Sequence, residues 1–419
     1  MKYILSKDIK RFLILFFIFI FVTLFSYNFV YADSEEPTLQ SKAAILVDNS
    51  TNKVLYSKNA DEKMFPASTT KIMTAILALE NCKLDEVVTA SYDAVMSIPD
   101  GYVKANIDGE EQLTVEQLLQ LILVHSANDA SNVLGEYIGG SVDSFVSMMN
   151  TKASNLGLTN THYTNTYGLQ DPNHYTTAHD LAILMQYCIK NEDFRRLAGS
   201  ASCSIPATNK HEPRSYVSTN DLIVPNNENY YSYVTVGKTG FTTEAGECLV
   251  SCAYKDNIEL TCVVLGGTKI NGVSTRFTES KLLYEYGFNN FSLKNIVNEG
   301  DILEQIDVAN GSPDTKKLDL AFSNSINALV KNSDKDTNYI PEIKLDNNIL
   351  APISQGDVLG KAIYNIDGVS YEVNLVATHN VETSKLLSFI AKIVFIMFLL
   401  IMTYLILFRK KQKKADDLD

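Results

Sequence analysis

No two of the six cysteines stand at the Cys-x-x-Cys spacing of a metal site. Scattered over Cys82, Cys188, Cys203, Cys248, Cys252 and Cys262, they form no dense disulfide framework either. The expectation is buried free thiols, no metal and no cofactor. Cys248 and Cys252, four apart, would share one face of a strand at a separation too large to bridge. Positive charge is also scarce: 36 Lys and Arg against 49 Asp and Glu leave a formal charge of −13. That balance argues against nucleic acid as a partner and for a solvated acidic surface. Disorder is excluded by composition, since 46% of the residues are hydrophobic and 20% charged. At 419 residues the chain has room for two domains plus attachments.

The long hydrophobic runs lie at the two ends. Residues 1–32 have a basic start (Lys2, Lys7, Lys10, Arg11), an apolar run from Phe12 to about Phe25 and a small-residue exit at Val30-Tyr31-Ala32. This is the layout of a signal peptide cleaved after Ala32, with an uncleaved signal anchor as the alternative; export follows either way. Leu386 to Phe408 is apolar apart from Ser388, Lys392, Thr403 and Tyr404. At ~1.5 Å per residue it is long enough to cross a bilayer. The basic tail 409–419 follows, with Arg409, Lys410, Lys411, Lys413 and Lys414, and should stay cytoplasmic. The body, residues 33–380, would then face outward from a cell membrane, and Lys392 would snorkel to the outer interface.

Within that body the chain is organised around Pro66-Ala67-Ser68-Thr69-Thr70-Lys71-Ile72-Met73-Thr74. Ile72, Met73, Ala75, Ile76, Leu77 and Leu79 leave no polar face, so a buried helix to about Glu80 is expected, with Ser68 at its start. Three positions make one turn, which sets Lys71 beside Ser68. Desolvation there lowers the amine's pKa toward a value at which it accepts the serine proton. Ser-x-x-Lys alone is common, and the second copy, Ser50-Thr51-Asn52-Lys53, sits between the strand-like runs Ala43–Val47 and Lys53–Tyr56 as a hairpin turn. Context decides between them. Thr114-Val115-Glu116-Gln117 is a capping box opening an apolar helix that stops at His125-Ser126-Ala127-Asn128, and another helix runs from about Ala130 to Ile138. A helix is expected over Asp180–Ile189, then strands over Val234–Phe241, Glu247–Tyr254 and Glu259–Leu265, and a closing helix over Arg276–Phe288. Strands at both ends with helices between predict one α/β domain, 33–288, whose sheet mixes the first hairpin with the last strands. Residues 289–380 show short alternating runs between Asn-Gly, Asp-Gly and Gln-Gly-Asp turns, a small all-β domain with no cluster of acid, base and nucleophile.

Ser68-x-x-Lys71 on a helix, Ser126-Ala127-Asn128 between helices and Lys238-Thr239-Gly240 on a strand occur in this order on an exported chain. The set resembles the penicillin-binding proteins and serine β-lactamases, and most of all the low-molecular-mass D-alanyl-D-alanine carboxypeptidases. Lys238-Thr239-Gly240-Phe241-Thr242-Thr243-Glu244-Ala245-Gly246 is similar to their Lys-Thr-Gly strand. Gly168-Leu169 through His174 to Ala178, and Arg276 after Gly266-Gly267, also resemble theirs. The resemblance implies the transpeptidase-like α+β fold, an all-β sandwich behind it and a C-terminal transmembrane helix. It further implies a membrane-bound serine carboxypeptidase acting on peptidoglycan stem peptides that end in D-Ala-D-Ala, and acylated by β-lactam antibiotics. Ser68 would be the nucleophile, Lys71 its base and Ser126 the proton carrier to the departing amine. Asn128 would hold the substrate amide, Lys238 would add positive charge, and Thr239 and Arg276 would bind the free carboxylate. Gly240 would let the strand approach, and the N–H groups of Ser68 and Phe241 would form an oxyanion hole, at about 3 to 4 kcal/mol per donor.

Three alternatives share the fold. A class A β-lactamase needs a glutamate-held water, and Gly168–Ala178 offers only Asp171. A non-catalytic penicillin sensor or wall-binding scaffold needs no nucleophile with its base. A transpeptidase forms the same acyl-enzyme and differs only in the acceptor. Of the histidines that tempt as bases, His125, His162, His174 and His179, none is needed by a lysine-activated serine; His174 reads as support for its loop.

Overall fold

The computed structural model describes residues 36–416; the expected leader, 1–32, lies outside them. The strand β1 (Ala43–Asp48) is buried along its whole length, because both of its faces are covered. It turns into β2 (Val54–Lys58) through Ser50-Thr51-Asn52-Lys53. The Asp48 carboxylate accepts from Ser50 Oγ (2.6 Å) and from Thr51 N (2.9 Å), so this copy of Ser-x-x-Lys is the hairpin turn its composition suggested.

The helical part follows: α1 (Lys71–Asn81), α2 (Val115–Gln120), α3 (Asn128–Gly139), α4 (Val142–Asn155), α5 (Ala178–Cys188) and α6 (Glu192–Ala198). Thr114 caps α2 with the reciprocal Gln117 bond of a capping box, as expected. The chain then returns to the sheet with β3 (Val234–Thr242), β4 (Gly246–Lys255) and β5 (Ile258–Gly267), and α7 (Thr275–Asn290) closes the domain. The sheet is antiparallel, in the order β2-β1-β5-β4-β3; β1 pairs with β5 from Ala43↔Leu265 to Asp48↔Leu260. First hairpin and last strands thus share one sheet, and β3 is left at its edge. Alternation sends Ile45, Val47, Cys248 and Cys252 into the core under α1, α2, α3 and α5. Ala44, Leu46, Leu249 and Cys262 go into the core under α7. All six cysteines are free thiols, five of them buried.

At Asn290 the chain enters an all-β region. β6 (Phe291–Val297) pairs with β9 (Ile326–Lys331), while β7 (Ile302–Asp307), β8 (Lys317–Phe322), β10 (Glu342–Leu345), β11 (Val358–Ile366) and β12 (Val369–Ala377) form a second sheet in the order β7-β8-β12-β11-β10. The two sheets enclose Leu318, Leu320, Ala328, Val330, Tyr364 and Leu375. Phe291 and Leu329 pack into the core under α7, and Lys53 Nζ donates to Leu329 O (3.1 Å) and Asp367 Oδ2 (2.7 Å), so the two domains are joined by contact as well as by chain. Directly after Ser384, whose N–H donates to Asn310 O (2.9 Å), α8 (Lys385–Asp416) begins. Its stretch Phe389–Arg409 is long and apolar enough to cross a membrane.

Candidate active site

Ser68 does not open an α-helix. It sits in a single 3-10 turn, Ala67–Thr70, and α1 begins only at Lys71. Thr69 and Thr70 are the reason: their hydroxyls donate to Pro66 O (2.7 Å) and Ala67 O (2.8 Å), taking carbonyls that an α-helical start would use. Ala67 stands at φ +47°, a left-handed conformation costly for a residue with a Cβ. Two contacts hold it there. Gly168, at φ +92°, lies so close that any side chain would stand 1.8 Å from Ala67 O. From the same loop, the His174 ring reaches Thr70 Oγ1 at 2.8 Å. Thr164 N–H donates to His174 Nδ1 (3.1 Å), so His174 is neutral with its proton on Nε2, consistent with burial pushing its pKa down to about 4.

Lys71 is fully buried. Its Nζ lies 2.9 Å from Ser68 Oγ, 2.6 Å from Asn128 Oδ1 and 3.0 Å from Tyr167 O. Burial holds its pKa well below the ordinary lysine value, and the nearby Lys238 charge lowers it further. Asn128 is the first residue of α3, one position inside the helix. Ser126 ends a single π-helical turn, Leu121–His125, and takes φ +69° as the chain reverses, which turns its hydroxyl to Lys238 Nζ at 2.9 Å. Lys238 is buried too, and its pKa falls to about 7, first through burial and then through the charge of Arg276.

β3 brings in the other wall. Gly240 runs so close to the serine turn that a Cβ there would stand 2.9 Å from Ser68 N. Arg276, the second residue of α7, donates from Nη1 to Gly240 O (3.2 Å), while its buried Nε has no partner. Phe241 is 62% exposed at the mouth of the cleft. All nine residues singled out in the sequence therefore gather along one cleft between the Ser68 turn, the start of α3 and the edge of β3.

Three contributors carried weaker signals. Tyr167 supplies its carbonyl to Lys71, and only its position next to Gly168-Leu169 hinted at that. Thr219 Oγ1 lies 2.6 Å from Thr239 Oγ1. It belongs to Ser218-Thr219-Asn220, a chance recurrence of Ser-x-Asn that the fold lays against the site. Glu247, buried beside Ser274 Oγ, offers the negative charge facing Arg276. Of the other three histidines considered as bases, His125 precedes Ser126 but stacks on Tyr216, while His162 bonds Asn173 O and His179 pairs with Asp61.

Comparison with known proteins places the chain in a family. A family model described as D-alanyl-D-alanine carboxypeptidase matches residues 31–269, and one described as penicillin-binding protein 5, C-terminal domain, matches 291–383. The chain is 32% identical to the D-alanyl-D-alanine carboxypeptidase DacF of Bacillus subtilis over 360 residues, 84% of this chain and 89% of that one. Among solved structures, the D-alanyl-D-alanine carboxypeptidase DacD of Francisella tularensis superposes with a TM-score of 0.64 at 26% identity, covering 86% of this chain and 98% of that one. Penicillin binding protein 5 of Haemophilus influenzae superposes with a TM-score of 0.65 at 29% identity, covering 83% and 99%.

Proposed function

Because this chain belongs to the D-alanyl-D-alanine carboxypeptidase family, we propose that it removes the terminal D-alanine of peptidoglycan stem peptides through an acyl-enzyme on Ser68, and that β-lactams acylate the same hydroxyl. The observation that carries this assignment is the set of partners around Lys71 Nζ. Asn128 Oδ1 and Tyr167 O are acceptors and occupy two N–H bonds. Burial, with the Lys238 charge nearby, favours the uncharged amine, which has only two N–H bonds and would then turn its lone pair to Ser68 Oγ.

Ser68 Oγ attacks the carbonyl between the two D-alanines while its proton passes to Lys71 Nζ. The resulting oxyanion lies against the N–H groups of Ser68 and Phe241. When the C–N bond breaks, Ser126 gives its proton to the departing D-alanine amine and recovers one from the lysines, with Lys238 Nζ within 2.9 Å. Water then adds to the ester as Lys71 takes its proton, and the Ser68 C–O bond breaks as Lys71 returns that proton to Ser68 Oγ. Thr239 and Arg276 hold the free carboxylate of the substrate; the unpartnered Nε of Arg276 supports that role. The Phe389–Arg409 helix spans the membrane with Lys410, Lys411, Lys413 and Lys414 inside the cell, which holds the catalytic domain on the outer face.

Intact-mass measurement of residues 33–384 with benzylpenicillin, and D-alanine release from diacetyl-Lys-D-Ala-D-Ala, beside Ser68→Ala, test the reading. One adduct per chain, absent from the variant, together with D-alanine release, is expected. An adduct without release would replace carboxypeptidase by transpeptidase or sensor, and no adduct would remove Ser68 from the mechanism.

A further inference from the structure

On the premise that the chain is the carboxypeptidase described above, we infer that Asp129 is a positioning residue of the reaction, one that straps residues 103–107 across the corner at Ser126-Ala127-Asn128 and sets the pH range in which Lys71 serves as base. Asp129 is 1% exposed. It stands in the first turn of α3, after an Ala127 that gives the helix no side-chain cap. The helix dipole favours a carboxylate there, and three backbone N–H groups meet it: Ala105 N (3.0 Å) and Ala130 N (2.9 Å) at Oδ1, and Ile107 N (3.1 Å) at Oδ2. Two of these donors lie 24 and 22 residues back in the sequence. A residue needed only to begin a helix would bond its own turn; this one holds a distant loop.

The strap lies where the chemistry needs a fixed wall. Val103 O accepts from Asn128 N–H (3.0 Å), a donor that the start of a helix leaves without an internal partner, and Lys104 O lies 3.3 Å from the His125 ring. Arg214 Nη1 (3.1 Å) and Tyr216 Oη (3.3 Å) donate to Ala105 O, so the strap is pinned from a second direction. Asn128 is thereby held at both ends, its main chain by the strap and its side chain by Lys71 Nζ at 2.6 Å. Asp129 also supplies charge. The groups that face Lys71 are Lys238 from β3, itself facing Arg276, the Tyr167 ring from the loop before Gly168, and Asp129 from α3; around the strap stand His125, Tyr216 and the Arg214–Glu111 pair. Lys238 and Asp129 act on the amine in opposite senses: the cation drives its proton off, and the carboxylate favours keeping it. Removing the negative charge alone should therefore let Lys71 deprotonate at a lower pH.

Rate constants for adduct formation with benzylpenicillin from pH 4 to 10, on the full chain in detergent, separate the two parts of the inference. A rate constant reads only the folded molecules, so partial misfolding of a variant does not blur it. Asp129→Asn keeps the shape and loses the charge; the midpoint of its rising limb should fall by about one pH unit. Asp129→Glu keeps the charge and displaces the strap by a methylene, so its midpoint should match the wild type while its plateau drops by about tenfold. A midpoint unmoved in Asp129→Asn would overturn the inference, since loosened packing alone does not move it and a limb governed by Lys238 would stay in place. So would a wild-type plateau in Asp129→Glu, which also decides the matter if Asp129→Asn gives no adduct at all. D-alanine release from diacetyl-Lys-D-Ala-D-Ala is measured beside these rates. Acylation without release would overturn the carboxypeptidase reading and leave the role of Asp129 in acylation standing, whereas a wild type with no adduct at any pH would overturn both.

Discussion

Two lysines buried within one cleft carry a cost that pH exposes. Lys238 has its pKa drawn down from the ordinary 10.5 to about 7. Below pH 7 both folded and unfolded chains hold its proton, and the folded chain bears the desolvation penalty in full. Between about pH 7 and 10.5 the unfolded chain binds the extra proton, so stability should rise with pH and level off above that window. Melting temperatures of wild type and Lys238→Met over pH 6–11 should differ by this rise; parallel curves would show that Lys238 keeps its ordinary pKa. The gathering of Ser68, Lys71, Ser126, Asn128 and Lys238 was legible in the sequence because the roles proposed for them need particular side chains at particular spacings. Tyr167 was not, because a backbone carbonyl can be offered by any residue. Thr219 was hidden by its setting in a recurring triplet, and only the fold brings its hydroxyl to Thr239.

At the scale of the element, the serine turn and the loop that braces it act together. The turn spends backbone strain at Ala67, and Gly168 and His174 hold the strained form in place. Gly168→Ala meets two obstacles, a positive φ and a carbonyl 1.8 Å from the new Cβ. It should destabilise the domain by about 2 to 4 kcal/mol and slow penicillin acylation by more than tenfold. Melting temperature and the rate of adduct formation measure both, and a variant that keeps its acylation rate would show that the turn does not depend on this brace. The sheet strands, the α2 capping box and the closing helix were readable from periodicity and caps. The 3-10 turn at Ser68 and the π turn before Ser126 were not, since both depend on side chains satisfying carbonyls that a helical pattern assigns to the backbone. The hairpin Ser202–Ile205 with Arg214–Val217 also escaped the pattern: its strands are four residues each, with an eight-residue loop between them.

At the scale of the molecule, the two domains are joined by contact, and α8 follows the second directly. A chain beginning at Asp33 and ending at Ser384 keeps all three cores and lacks residues 1–32 and α8. It should appear in the soluble fraction with its acylation rate intact, whereas the full chain should sediment with membranes and resist washing at high salt. Sedimentation of the shortened chain would place the attachment elsewhere. A change in turn composition near Asn289 is the sequence's sign of a second domain, and the structure turns to all-β pairing from Phe291. What the sequence could not convey is that Phe291 and Leu329 complete a core of the catalytic domain, because that packing joins residues far apart in the chain. Between the last residue of the β domain bonded to its own fold, Ser384, and the first residue of α8 there is no intervening segment. A leash of flexible residues would let an enzyme sweep a volume; this one has none. On the attachment proposed above, Ser68 would be held within a fixed reach of the bilayer, and substrate would be met by drifting in the plane of the membrane rather than by sweeping a volume.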